Sequence, residues 1–253
     1  MGDRLEGLID WFPAPRLVAT GAAVLVFPGG GYRIRMDERE GTAVARWFNV
    51  IGVSAGVVNY RLGSDGHRHP AQLDDARRAM RILREGAGTL GIASDRIGVI
   101  GFSAGGHLAA LLMTAFDKGN GMESAEACGL SLRPDFGILV YPVISMCGDD
   151  VHEGTRTQLL GMDPDSARCA AVSCERNVDD RTPPAFIVHT TEDELVSPLH
   201  SLAFYRALHE HGVPCELHVF EQGRHGLDLG VGVPGFGAWR GLAHVWMKQH
   251  GFV

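Results

Sequence analysis

RIGVIGFSAGGHLAALL, residues 96–112, decides how the rest of the chain is read. An apolar run, Ile97 to Ile100, stops at Gly101, and an apolar helical pattern resumes at Leu108. Between them lies Gly101-Phe102-Ser103-Ala104-Gly105-Gly106. A Gly-x-Ser-x-Gly placed between a strand and a helix fits a nucleophile elbow, a tight turn that pushes one hydroxyl out at the carboxyl edge of a sheet. Small residues at 101 and 105 let strand and helix pass closely. The competing reading makes Ser103 an ordinary N-cap, accepting a hydrogen bond from the first helical turn.

Working outward, β-type runs alternate with helical patterns. Upstream, AAVLVF (22–27) reads as a strand ending at Pro28-Gly29-Gly30-Gly31. EGTAVARWFNVIG (40–52) reads as a helix, VSAGVVNY (53–60) as a strand, and HPAQLDDARRAMRILREGAGTLG (69–91) as a helix closed by Gly91. Downstream, DFGILVYPVIS (135–145), PAFIVHT (184–190) and CELHVFE (215–221) read as strands. SPLHSLAFYRALHEHG (197–212) and FGAWRGLAHVWMKQH (236–250) read as helices. Near-continuous apolar strands separated by amphipathic helices predict an α/β fold with a mostly parallel twisted sheet covered on both faces. Residues 146–183 break the rhythm, with one short helix near TRTQLL. They are read as a small excursion over the sheet within one domain spanning 1–253.

A serine hydroxyl is a poor nucleophile at neutral pH and needs a base, which needs an orienting acid. In elbow folds the chain order is serine, acid, histidine. The loop after PAFIVHT offers Glu192, Asp193 and Glu194, and spacing does not choose among them. The loop after CELHVFE offers His225 between Gly223 and Gly226. Both loops leave the sheet at the edge that presents Ser103. A tetrahedral intermediate also needs preset N–H donors, each worth roughly 3–4 kcal/mol. The glycine loop FPGGGY (27–32) assigns Gly30 and Gly31 to that task, joined by the N–H of Ala104. Glycines let the backbone face a substrate with no Cβ in the way. Tyr32 and His107 are candidate pocket residues, each with a packing role as the alternative. The loop CGDDVHEG (147–154) carries Asp149, Asp150, His152 and Glu153, but without the helical spacing that fixes metal ligands, so no metal is expected.

The chain has 253 residues, 45% hydrophobic and 21% charged, with a formal net charge of −7. That is ordinary globular composition, and without a basic run it argues against nucleic acid and anionic membranes as partners. No stretch approaches the roughly 18 uncharged apolar residues of a membrane span. The opening MGDRLEGLIDWF has charges where a signal peptide needs an apolar core. Five cysteines, Cys128, Cys147, Cys169, Cys174 and Cys215, are odd in number and form no CxxC pair. They read as free thiols in a reducing, cytoplasmic compartment.

Taken together, FPGGGY, NYRL (59–62), HPAQLDDARRAMRILR (69–84), DRIGVIGFSAGGHLAA (95–110), RPDFGILVYPVISM (133–146), ERNVDDRTPPAFIVHTTEDELV (175–196) and GVPCELHVFEQGRHGLDLG (212–230) resemble α/β-hydrolase esterases. The similarity is to the small acetylesterases of the acetylxylan esterase-like and Bacteroides-type feruloyl esterase group, with dienelactone hydrolases more distant. The resemblance implies the α/β-hydrolase fold with a minimal cap, Ser103 as nucleophile, Asp193 as acid and His225 as base. It also implies a small-molecule ester substrate, an acetylated sugar being the expected one, and no cofactor. Two positions depart from the pattern: Pro28 replaces the histidine of lipase-like relatives, and Glu192 adjoins the acid where a neutral residue or Asp is commoner. The alternatives are a feruloyl or other short-chain esterase, a prolyl-oligopeptidase-like peptidase, and a non-catalytic binding protein on the same fold.

Overall fold

The computed structural model describes residues 3–116 and 130–253. Its eight strands are β1 (Asp3–Leu5), β2 (Ile9–Phe12), β3 (Ala23–Phe27), β4 (Ser54–Val58), β5 (Ile97–Phe102), β6 (Gly137–Val140), β7 (Ala185–Thr190) and β8 (Cys215–Phe220). They form one sheet in the order β1-β2-β4-β3-β5-β6-β7-β8. From β4 through β8 every pairing is parallel; β1 and β2 are antiparallel additions. This is the α/β-hydrolase arrangement the sequence predicts, with an N-terminal hairpin it did not. The hairpin was illegible because its strands are only three and four residues long.

Among the described residues, seven α-helices flank the sheet: α1 (Ala43–Val50), α2 (Ala71–Leu90), α3 (Ala104–Ala115), α4 (Glu153–Leu160), α5 (Ser166–Ala171), α6 (Leu199–Glu210) and α7 (Trp239–Gln249). Alternation along β5 serves both faces. Ile97 and Val99 join the layer that contains α2 and α3, whereas Ile100 and Phe102 join the layer that contains α1 and α7. Each such side chain, once fully buried, contributes about 1.5–3 kcal/mol. Helix α3 is buried at all twelve positions, as expected for a helix apolar on every side. Helix α2 presents Leu73, Ala76, Met80, Leu83 and Ala87 inward and stops at Gly91, whose φ of +69° is the left-handed C-cap.

Two boundaries moved. The predicted helix 40–52 begins with a π-helical turn at Asp37–Thr42. The predicted strand 135–145 ends at Val140, because Tyr141 turns to φ +37° and Pro142, which has no N–H, follows. The excursion 146–183 carries α4 near the predicted place and also α5, which was not expected. Among the described residues, Cys147, Cys169, Cys174 and Cys215 are free thiols, and no helix is long and apolar enough to cross a membrane. Cys128 lies outside the described residues.

Candidate active site

Parallel register brings the carboxyl ends of β3, β5, β6, β7 and β8 to one edge. Ser103 leaves β5 with φ +53° and ψ −120°. A non-glycine residue held there stores about 1–3 kcal/mol of strain, which the surrounding structure must overcome. Added Cβ atoms show why the flanking residues are glycines. One on Gly101 would lie 2.1 Å from the Gly105 carbonyl oxygen, and one on Gly105 would lie 2.1 Å from the Phe27 carbonyl oxygen. The Ser103 side chain makes no capping bond to α3, so the N-cap reading falls away.

His225 Nε2 lies 2.8 Å from Ser103 Oγ, and its Nδ1 lies 2.6 Å from Asp193 Oδ2. The carboxylate can only accept, so Nδ1 carries the proton and Nε2 is left to accept from the serine hydroxyl. Asp193 Oδ1 accepts the N–H groups of Leu195 at 3.0 Å and Val196 at 2.9 Å. His189 Nε2 adds a contact at 3.3 Å to Oδ2. Burial acts to raise the Asp193 pKa. Hydrogen bonds from His189 and His225, then from the Val196 N–H, outweigh burial and hold the carboxyl well below the usual range. Glu192 is exposed and accepts the Gly223 N–H at 2.9 Å instead, and Glu194 is also exposed. Of the three adjacent carboxylates, Asp193 alone faces the histidine.

These groups open into a cavity of about 510 Å³ lined by Gly30, Gly31, Met36, Ser103, Leu195 and His225 among others. The Gly29 N–H is taken by Glu40 at 2.7 Å, leaving Gly30 and Gly31 as the glycine-loop residues on the cavity wall. Ala104 is the first residue of α3, and the first N–H groups of a helix have no intrahelical acceptor. The excursion contributes His152, Gly154 and Gln158 to the wall. His152 caps α4 by accepting the Thr155 N–H on Nδ1. Among the described residues no group of three or more His, Cys, Asp or Glu is placed to hold a metal ion.

Tyr32 and His107 are not pocket residues. Both are fully buried, and the Tyr32 hydroxyl lies 2.8 Å from His107 Nδ1. His107 Nε2 donates to the Val172 carbonyl at 2.8 Å, so Nδ1 is the acceptor. Burial, ahead of weaker influences, lowers the His107 pKa to about 4 and keeps the ring neutral. The pair ties the glycine loop to the excursion. Tyr32 turns inward because its own φ is +56°, which residue order does not reveal.

Sequence reasoning also missed Glu40. It lines the cavity wall yet is only 3% exposed. Burial pushes its pKa up to about 7, against hydrogen bonds from Tyr141 and Gly29. The segment reads as the start of an amphipathic helix, where an acidic residue belongs on the solvated face. Its burial follows from long-range packing.

The BD-FAE family model matches residues 18–208. The chain is 33% identical over 224 residues to the acetylxylan esterase of Xylanibacter ruminicola, covering 87% of this chain and 42% of that protein. It is 37% identical over 212 residues to endo-1,4-beta-xylanase B of Butyrivibrio fibrisolvens, covering 81% of this chain and 32% of that protein. The chain thus spans less than half the length of these curated relatives. Among solved structures, the acetyl ester-xyloside bifunctional hydrolase of Caldicellulosiruptor lactoaceticus superposes with a TM-score of 0.89 at 42% identity, covering 97% of this chain and 89% of that one. By sequence match and by fold, the chain belongs to the BD-FAE family of α/β-hydrolases.

Proposed function

We propose that the protein is a serine carboxylesterase that removes small acyl groups, acetyl above all, from carbohydrate hydroxyls. The observation that carries this reading is the unbroken hydrogen-bonded relay Asp193–His225–Ser103, opening into the cavity beside Gly30 and Gly31. His225 takes the Ser103 proton as the hydroxyl oxygen attacks the ester carbonyl. The N–H groups of Gly30, Gly31 and Ala104 receive the developing oxyanion. The alcohol leaves with the proton from His225, and water then repeats the sequence on the acyl-enzyme. This route needs no metal or organic cofactor.

The sugar assignment draws support from the relatives named as an acetylxylan esterase and an acetyl ester-xyloside bifunctional hydrolase. The cavity wall suits a polyol alcohol, since it mixes apolar Met36 and Leu195 with polar His152, Gln158 and Asp228. The test is release of acid from acetylated xylo-oligosaccharides, p-nitrophenyl acetate, p-nitrophenyl butyrate, methyl ferulate and an aminoacyl anilide. The expected ranking has acetyl esters first, acetylated sugars among them, and no cleavage of the anilide. Preference for the ferulate would replace the acetyl assignment, and hydrolysis of none of the esters would remove the esterase reading altogether.

A further inference from the structure

Glu40 lies on the π-helical turn that leads into α1, outside the relay. One of its oxygens accepts the Gly29 N–H at 2.7 Å, and the other accepts the Tyr141 O–H at 2.8 Å. The Tyr141 oxygen in turn accepts the Asp228 N–H at 2.8 Å. A Cβ on Gly29 would lie 2.6 Å from Glu40 Oε2 and 3.0 Å from Ser103 Cβ, which places the carboxyl immediately behind the nucleophile. Three segments that build the site are therefore joined through Glu40 and the Tyr141 hydroxyl bonded to it. These are the glycine loop through Gly29, the exit of β6 through Tyr141, and the histidine loop through Asp228. The Tyr141 ring also packs on His225, with ring centroids 4.8 Å apart.

An ionised carboxylate offers an acceptor to each of its two donors. A protonated one must turn its own O–H toward a group that already donates. We propose that the ionised Glu40 carboxylate is a positioning residue for ester hydrolysis, locking the glycine loop and the His225 loop in register with Ser103, and that protonation releases this lock. The inference rests on the serine esterase reading. The charged and titratable groups facing Glu40 are Tyr141 from the end of β6, Asp228 and His225 from the loop after β8, and Tyr60 after β4. Asp228 is itself paired with Arg39. With burial pushing Glu40 up to about 7, the lock changes state as pH falls through that value. Release of the lock then adds the proton taken up by Glu40 to the acid limb of the rate profile.

The experiment follows kcat, KM and the rate of Ser103 labelling by a fluorophosphonate probe, from about pH 5 to 9, in wild type, Glu40→Gln and Tyr141→Phe. Glutamine mimics the protonated carboxyl. At high pH it is expected to lower kcat and labelling about 10- to 100-fold with KM little changed, and to remove one proton from the acid limb. Tyr141→Phe keeps the carboxylate but deletes a donor that holds its pKa down, so its acid limb moves to higher pH. A Glu40→Gln enzyme with wild-type rates, or a slow one whose acid limb still takes up the same number of protons, overturns the inference. If Glu40→Gln does not fold, an unshifted limb in Tyr141→Phe does so. A wild type that neither hydrolyses esters nor takes the label overturns the esterase reading first, and this inference with it. A labelled wild type with an unaffected Glu40→Gln leaves the esterase reading standing.

Discussion

Asp193→Asn tests the relay at its buried end, and the structure sets the size of the effect. Asp193 Oδ1 is committed to two backbone donors, Leu195 N–H and Val196 N–H. An asparagine must keep its oxygen there, because its amide nitrogen cannot accept from them. The NH2 group is then forced into the place of Oδ2, 2.6 Å from His225 Nδ1. The imidazole responds by accepting on Nδ1 and carrying its proton on Nε2, the atom that must take the Ser103 proton. The enzyme keeps its shape and holds the wrong tautomer. The expected loss in kcat is about 10⁴-fold, equivalent to ~5.5 kcal/mol of transition-state stabilisation, with KM little altered. Steady-state hydrolysis of p-nitrophenyl acetate reads it, and circular dichroism confirms the fold. Glu192→Gln is the internal control, because its oxygen accepts only the Gly223 N–H and a glutamine oxygen accepts it equally well. Turnover of Asp193→Asn within about tenfold of wild type refutes the reasoning, as does an equal loss in Glu192→Gln.

Ser103→Ala and Ser103→Gly both remove the nucleophile and should each lower kcat by roughly 10⁴–10⁶. Only glycine relieves the φ of +53°, so it should be the more stable of the two by about 1–2 kcal/mol in thermal melts; equal melting temperatures argue against strain at the elbow. Gly105→Ala drives a Cβ to 2.1 Å from the Phe27 carbonyl oxygen, and a loss of roughly 3 kcal/mol, or about 10 °C in Tm, is expected. His69, His107 and His200 are each lowered to about 4, chiefly by burial, so the unfolded chain binds more protons than the folded one as pH falls below the ordinary histidine range. Glu40, raised to about 7, works in the opposite sense. The net expectation is a loss of about 3 kcal/mol between about pH 7 and pH 5, and a Tm constant over that interval contradicts it.

The elbow was legible in the sequence because its geometry demands residue types that are scarce together. Strand and helix pass so closely at 101 and 105 that a carbonyl oxygen occupies the space of a Cβ, and glycine is the required answer. His225 was legible for a related reason, since the order of strands put its loop at the edge that carries Ser103. The choice of Asp193 over its neighbours was not, because three adjacent carboxylates differ only in where the chain turns after β7. The backbone decides it there, by aiming the Leu195 and Val196 N–H groups at one side chain. Glu40 was hidden because its partners Gly29 and Tyr141, and the Asp228 N–H that donates to Tyr141, come together only in the folded chain. Periodicity reports the local environment of a helix, and this carboxyl is defined by distant segments.

The misreadings share a physical origin. Among the described residues, the non-glycine residues with positive φ are Glu6, Tyr32, Ser103, Tyr141 and Asp228. Glu6 belongs to the turn between β1 and β2, and the other four follow strands at the edge that carries the site. A left-handed residue reverses the direction its side chain would take from an extended neighbour, so alternation stops predicting which way it points. Tyr32 thereby enters the core to meet His107, and Tyr141 reaches Glu40 while its tilted ring packs against His225. Each such residue costs about 1–3 kcal/mol and persists because a buried sheet over-determines its position. The same backbone strain that conceals these roles from the sequence thus lets short loops after four parallel strands turn Ser103 and Asp228 to the cavity wall and Tyr32 and Tyr141 into the packing behind it.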